Sequence, residues 1–200
     1  VEAAKSAAGR AFVKLSTRSP KDSKKALARA KKAYEARLHA AGGDTVSANE
    51  RWKILSDEVT KAGSVENGEQ ALVLLLDSAR VFEDLEYALR GPIAEAEGGE
   101  DKSVSSSQPR GNREWRTSLC ARAWDHRVTP QSEFRGIVWN GRLTCLCQYF
   151  HPLFYAELVP LRDSILADIQ ATFASTRVSA AVARLGGHCI VDFAWLGEGS

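Results

Sequence analysis

The sequence predicts an α+β fold, a mainly antiparallel sheet with flanking helices. Three observations lead there. Apolar residues recur at helical spacing through much of residues 22–89. From about Ser118 the spacing switches to alternation, the period of a strand with one face buried. Between two alternating segments stands Asn140-Gly141, two residues that tolerate the positive φ of a type I′ hairpin turn.

Taken in order, Arg10 to Ser16 is a short β-prone run, ended by the small polar residues and proline of Thr17 to Asp22. Asp22 is expected to cap a helix carrying Leu27, Ala30, Tyr34 and Leu38 to about His39, and Gly42-Gly43 ends it. Ser47 and Glu50 match a capping box ahead of Trp52, Leu55 and Val59. Glu69 to Leu89 is helical in character, in two pieces meeting near Ser78. Glu95 to Asn112 holds too little apolar surface to offset the entropy of ordering it and is expected to be a linker. Strands follow at Ser118 to Trp124, Glu133 to Trp139 and Arg142 to Phe150. Pro160 opens a helix to about Phe173, and Cys189 to Trp195 forms a last strand. The division is therefore residues 1–93, a flexible segment 94–112, and residues 113–200. The chain starts at Val1, lacks methionine and stops in the turn-like Leu196 to Ser200, so it is expected to be a fragment whose fold is incomplete at the C-terminus.

Composition narrows the function. With 44% hydrophobic and 26% charged residues the chain can bury a sizeable core, and it shows neither a membrane span nor a signal peptide, so a cytoplasmic protein is expected. The net charge of +2 conceals an uneven distribution: residues 1–40 carry 11 basic and 3 acidic side chains, residues 41–101 carry 5 and 14. A basic start suits phosphates or an acidic partner, although such a run is most often the solvated face of a helix. Cys120, Cys145, Cys147 and Cys189 lack the CxxC spacing of common zinc sites, so reduced thiols are expected over disulfides. A zinc site built from Cys145, Cys147 and Cys189 with His151 or His188 is the lesser reading.

A two-residue turn fixes the hairpin register: Trp139 opposite Arg142, Ile137 opposite Thr144, Arg135 opposite Leu146 and Glu133 opposite Gln148. One face then carries Glu133, Arg135, Thr144 and Gln148. The other, with Phe134, Gly136, Val138, Leu143, Cys145 and Cys147, is expected to face the core, which makes the two cysteines small buried hydrophobes. Alone, Arg135 with Glu133 reads as an ion pair on a solvated face, and Lys14 between Phe12 and Ser16 as a snorkelling lysine. Asp192 stands among apolar neighbours and needs a hydrogen-bond partner, a cation or a metal. Lysine, arginine and carboxylate on separate strands are what nucleotide chemistry requires: cations for phosphate oxygens, an oxygen ligand for magnesium. No GxxxxGK[ST] or GxGxxG motif is present, so P-loop and Rossmann folds are unsupported.

Phe12-Val-Lys14-Leu-Ser16-Thr-Arg-Ser19-Pro20-Lys21-Asp22, then Leu119-Cys-Ala-Arg122-Ala-Trp124, then Glu133-Phe134-Arg135-Gly-Ile-Val138 with Gln148-Tyr149, resemble in order the signatures of the cell-division-cycle-123 (D123) family. The resemblance implies an ATP-grasp fold that binds ATP with Mg2+, and a cytoplasmic assembly chaperone for eukaryotic translation initiation factor two. That chaperone acts through the gamma subunit, and no direct contact with nucleic acid is expected. It further implies that Lys14 reaches the phosphates beside Ser16 and Ser19, and that Arg122, Ala123 and Trp124 lie along the adenine. Arg135 would be a second phosphate contact and Asp192 the first metal-binding acid, the remaining magnesium ligands lying on a strand past Ser200. Hydrolysis is not implied and no catalytic residue is assigned. An ATP-grasp ligase that forms an acyl phosphate, or an interaction module with a decayed nucleotide site, are the alternatives.

Overall fold

A computed structural model of the chain describes residues 9–87 and 117–197. The expected linker at 94–112 and the chain's last three residues lie outside them. By its contacts the chain divides into two compact units, residues 1–31 with 61–124 and residues 32–60 with 125–200. The α+β class and the antiparallel pairing are as expected. No helix among the described residues is long and apolar enough to cross a membrane.

In the first unit β1 (Ala11–Leu15) is the central strand, paired antiparallel with β2 (Ser64–Val65) on one side and β3 (Leu119–Ala123) on the other. Alternation decides its faces: Ala11, Val13 and Leu15 are buried, Phe12 and Lys14 half-buried. Ala11 and Val13 pack with Val65, with Ala26 of α1 (Lys24–Ala40) and with Ala71 and Leu74 of α3 (Gly68–Leu76). Leu15, Leu75 and Val81 make a second cluster.

The helical stretch expected from Glu69 breaks at Ser78, as its sequence suggested, with a second helix, α4, over 79–87. The residue Leu89 lies beyond the described part. The capping of α1 differs from expectation. Ser23, not Asp22, is its cap, accepting from the Ala26 amide at 3.3 Å. Asp22 instead turns to α4, where it accepts from the Ser78 hydroxyl and from the Arg80 amide. Asp77 does the same for α1, accepting from Ser23 Oγ at 2.8 Å and the Lys25 amide at 2.7 Å. Two Asp-Ser pairs thus cap each other's helices while each serine caps its own, Ser78 through the Val81 amide.

In the second unit the sheet order is β5-β4-β6, with β4 (Glu133–Trp139), β5 (Arg142–Gln148) and β6 (Cys189–Ala194) all antiparallel. Phe134 and Phe193 pack against Ile165 and Ile169 of α5 (Arg162–Ala174). Gly136 sits where a Cβ would fall 2.6 Å from Leu143 Cδ1 and 3.0 Å from the Phe193 ring, so the position excludes a side chain. A further helix, α6 (Thr176–Arg184), went unpredicted. Of the capping box at α2 (Ala48–Ala62), the serine half forms, Glu50 N–H donating to Ser47 Oγ at 3.3 Å, while the Glu50 carboxylate takes Lys53 Nζ at 2.8 Å.

The hairpin turn is as expected, with Asn140 at φ 48° and Gly141 at φ 71°. Its register is not. A bulge between Ile137 and Val138 shifts the pairing by one residue, so Ile137 faces Cys145, Gly136 faces Leu146, Arg135 faces Cys147 and Phe134 faces Gln148. Thr144 is the extra residue, and its hydroxyl donates to the Ile137 carbonyl at 3.1 Å. Beyond the bulge every side chain of β5 changes face. Leu146 therefore packs on the core, whereas Cys145 and Cys147 are exposed, contrary to the burial expected of them.

Candidate functional site

The outer face of the second sheet carries an Arg–Asp pair at its middle. Arg135 on central β4 lies directly opposite Asp192 on β6, and antiparallel partners project to the same side. The guanidinium fork grips the carboxylate with both arms, Nε to Oδ1 at 2.8 Å and Nη2 to Oδ2 at 2.9 Å. Its plane lies against Tyr149, 4.4 Å from the ring centroid. The hydrogen bonds from Arg135 to Asp192 dominate its surroundings and raise the guanidinium pKa further above its ordinary value, so the cation is permanent. Side-chain exposures of 39% for Arg135 and 46% for Asp192 leave the pair open to solvent.

Towards the hairpin turn the same face becomes apolar. Ile137 faces Cys145 on one side and Ile190 on the other, and Ile137 and Ile190 are 47% and 62% exposed. Trp139 follows, exposed, with the His188 ring edge-on at 4.4 Å. An apolar strip thus adjoins a charged one on a single sheet face, the division suited to a ligand with a flat organic part and an anionic part. Against the opposite side of β6, α5 and α6 leave a cavity of about 290 Å³ lined by Asp168, Thr172, Val178, Val191 and Trp195. There the Trp195 indole donates to Asp168 Oδ2 at 2.8 Å.

Of the site residues singled out in the sequence, the second unit holds Arg135 and Asp192 and brings them into contact. The partner that Asp192 needed is Arg135. Glu133 keeps to the outer face of β4, while Gln148 pairs with Phe134, its Nε2 buried and unbonded in the described structure. The remaining residues belong to the first unit. Lys14 lies opposite Cys120, and Phe12 opposite Arg122, whose guanidinium stacks 4.8 Å above the Phe12 ring. Lys14 and Arg122 therefore share one face of that sheet. Ser16 Oγ accepts from the Ser118 amide at 3.1 Å and bonds Thr117 Oγ1 at 3.2 Å. The Ser19 carbonyl takes the Lys21 amide, and Ala123 pairs with Ala11. The Trp124 amide donates to the Arg10 carbonyl at 3.1 Å.

Tyr149, the aromatic wall of the Arg135 site, was missed as a site residue. Its position just past β5 was the available signal. Among the described residues no group of three or more His, Cys, Asp or Glu could hold a metal, which includes the four-ligand zinc alternative. Asp192 offers hard oxygen donors of the kind Mg2+ takes, and Arg135 a cation that phosphate oxygens take, so the donor chemistry of this face fits a magnesium-bound phosphate.

Residues 56–193 match the sequence profile of the D123 family. No curated protein and no solved structure matches the chain.

Proposed function

From the premise that the chain belongs to the D123 family, we propose that it binds ATP with magnesium in an ATP-grasp type site. We further propose that it acts in the cytoplasm as an assembly chaperone for eukaryotic translation initiation factor two, through the gamma subunit. The observation that carries the nucleotide part is the Arg135–Asp192 pair on an open sheet face beside an apolar strip. A guanidinium already ordered against Tyr149 would exchange Asp192 for phosphate oxygens at little further entropy cost. Lys14 is the second phosphate cation in this reading, with Ser16 and Ser19 beside it and Arg122, Ala123 and Trp124 along the base. Asp192 is a ligand to magnesium, which, when bound, neutralises the polyphosphate charge.

Thermal unfolding of the full-length protein with and without magnesium-ATP tests this reading. A ligand at about 100 times its Kd stabilises the folded state by about 2.7 kcal/mol, so a clear upward shift is expected. Lys14→Ala and Arg135→Ala should each lose most of it. Equal shifts in all three proteins would overturn the site, and no shift in any would leave an interaction module with a decayed site. ATP turnover stimulated by a small carboxylic acid would identify a ligase instead. Capture of the gamma subunit by the wild type tests the chaperone role.

A further inference from the structure

We propose that the Arg135–Asp192 pair is a latch: the anion-binding and cation-binding halves of the site hold each other, and a ligand that brings both charges releases both more readily than one that brings a single charge. The inference rests on the nucleotide reading and concerns how that site is regulated. Both oxygens of Asp192 accept from Arg135, so a divalent cation that chelates this carboxylate displaces a guanidinium already in contact with it. The converse holds for an anion that takes the Nε–Nη2 edge of Arg135, because the carboxylate occupies that edge.

Three features make this an exchangeable contact and not a buried strut. The pair is about half exposed on both sides. Direct opposition on β4 and β6 returns the two side chains to each other whenever the site empties. The Tyr149 ring gives the guanidinium a second contact besides Asp192, one that a change of ionic partner need not break. A divalent cation or a polyphosphate alone breaks the pair and leaves one charge without a partner. Presented together they replace one ion pair by two, guanidinium with phosphate and carboxylate with cation.

The test is titration of the full chain with Mn2+ alone, without nucleotide, read by water proton relaxation. Arg135→Lys keeps the positive charge but gives up the bidentate grip, so it separates the latch from simple repulsion of a cation by an arginine. Exposed pairs of this kind are worth a few-fold in an equilibrium constant, so R135K should bind Mn2+ about two- to fivefold more tightly than wild type. The gain should vanish in R135K combined with Asp192→Asn. Mn2+ affinity in R135K equal to wild type, or a gain that survives D192N, overturns the latch. A second readout needs no variant. In wild type the Arg135 Nε–H resonance should move less in Mg2+ alone than in the same concentration of Mg2+ with inorganic triphosphate, and equal movement overturns the proposal. A wild type that binds no magnesium-ATP refutes the nucleotide reading. One that binds it while R135K behaves as wild type refutes the latch only.

Discussion

Two clusters of aspartates show what surroundings do to one side chain. In the first unit Asp22 and Asp77 accept from backbone amides at helix starts and from the hydroxyls of Ser78 and Ser23, which are 1% and 0% exposed. In the second unit Asp192 accepts only from a half-exposed guanidinium. The first arrangement satisfies orphan amides that the fold cannot leave bare. The second satisfies charges that water would serve nearly as well. The one is structural, the other is the pair proposed to serve a ligand, and substitution should separate them cleanly.

The largest effect is expected from removing the hydroxyls. Ser23→Ala with Ser78→Ala deletes two helix caps and takes a hydroxyl donor from each of two carboxylates that stay within reach of water. A cap is worth about 1 kcal/mol, so the double variant should lose about 2 kcal/mol in chemical denaturation. A loss below about 1 kcal/mol would mean the paired caps carry little of the first unit's stability.

Acid should weaken the same cluster next. For Asp22, burial alone would raise the carboxyl pKa, but the donors from Ser78 and Arg80 outweigh it and the result lies below the ordinary value of 3.8. Asp77 is lowered chiefly by the Lys25 amide and then by Ser23. A depressed native pKa means the unfolded chain takes up protons first, so this stabilisation is complete above pH 3.8 and fades as pH falls through the native values. Asp22→Asn with Asp77→Asn should flatten the fall of stability below pH 4, measured as denaturation midpoint against pH. An unchanged slope would assign acid sensitivity elsewhere.

The contrast also marks what the sequence could reveal. Strands and helices with a strong period were legible, β4 to the residue, because alternation or a 3.6-residue repeat is a local property. The break at Ser78 was legible for the same reason. Asp22 was read as a cap, correctly in kind, but its helix lies 58 residues away, and pairings of that range leave no local trace. The bulge at Thr144 was invisible because threonine is an ordinary strand residue, and one inserted position was enough to turn Cys145 and Cys147 outward. Helix α6 went unread although Val178, Ala181 and Val182 stand at helical spacing, because its nine residues are short and follow α5 after Ser175 alone. Of the site, Arg135 and Asp192 were found by residue type and resemblance, but their contact follows from β4–β6 pairing, which only the fold supplies.

The smallest expected effect is the most informative. If Arg135 and Asp192 serve a ligand, removing either should barely disturb the unliganded fold. Exposed ion pairs contribute about 0.2–1 kcal/mol, and 39% and 46% exposure puts this one in that range in spite of its bidentate geometry. Arg135→Gln, Asp192→Asn and the double variant form a cycle in which the coupling energy isolates the pair. Denaturation without ligand should give a coupling under about 1 kcal/mol, further reduced at about 1 M salt, where charges are screened within about 3 Å. A coupling of about 3 kcal/mol or more, insensitive to salt, would place Asp192 in the same class as Asp22 and Asp77. The residue would then be a support of the sheet, and the open face beside it would need another explanation.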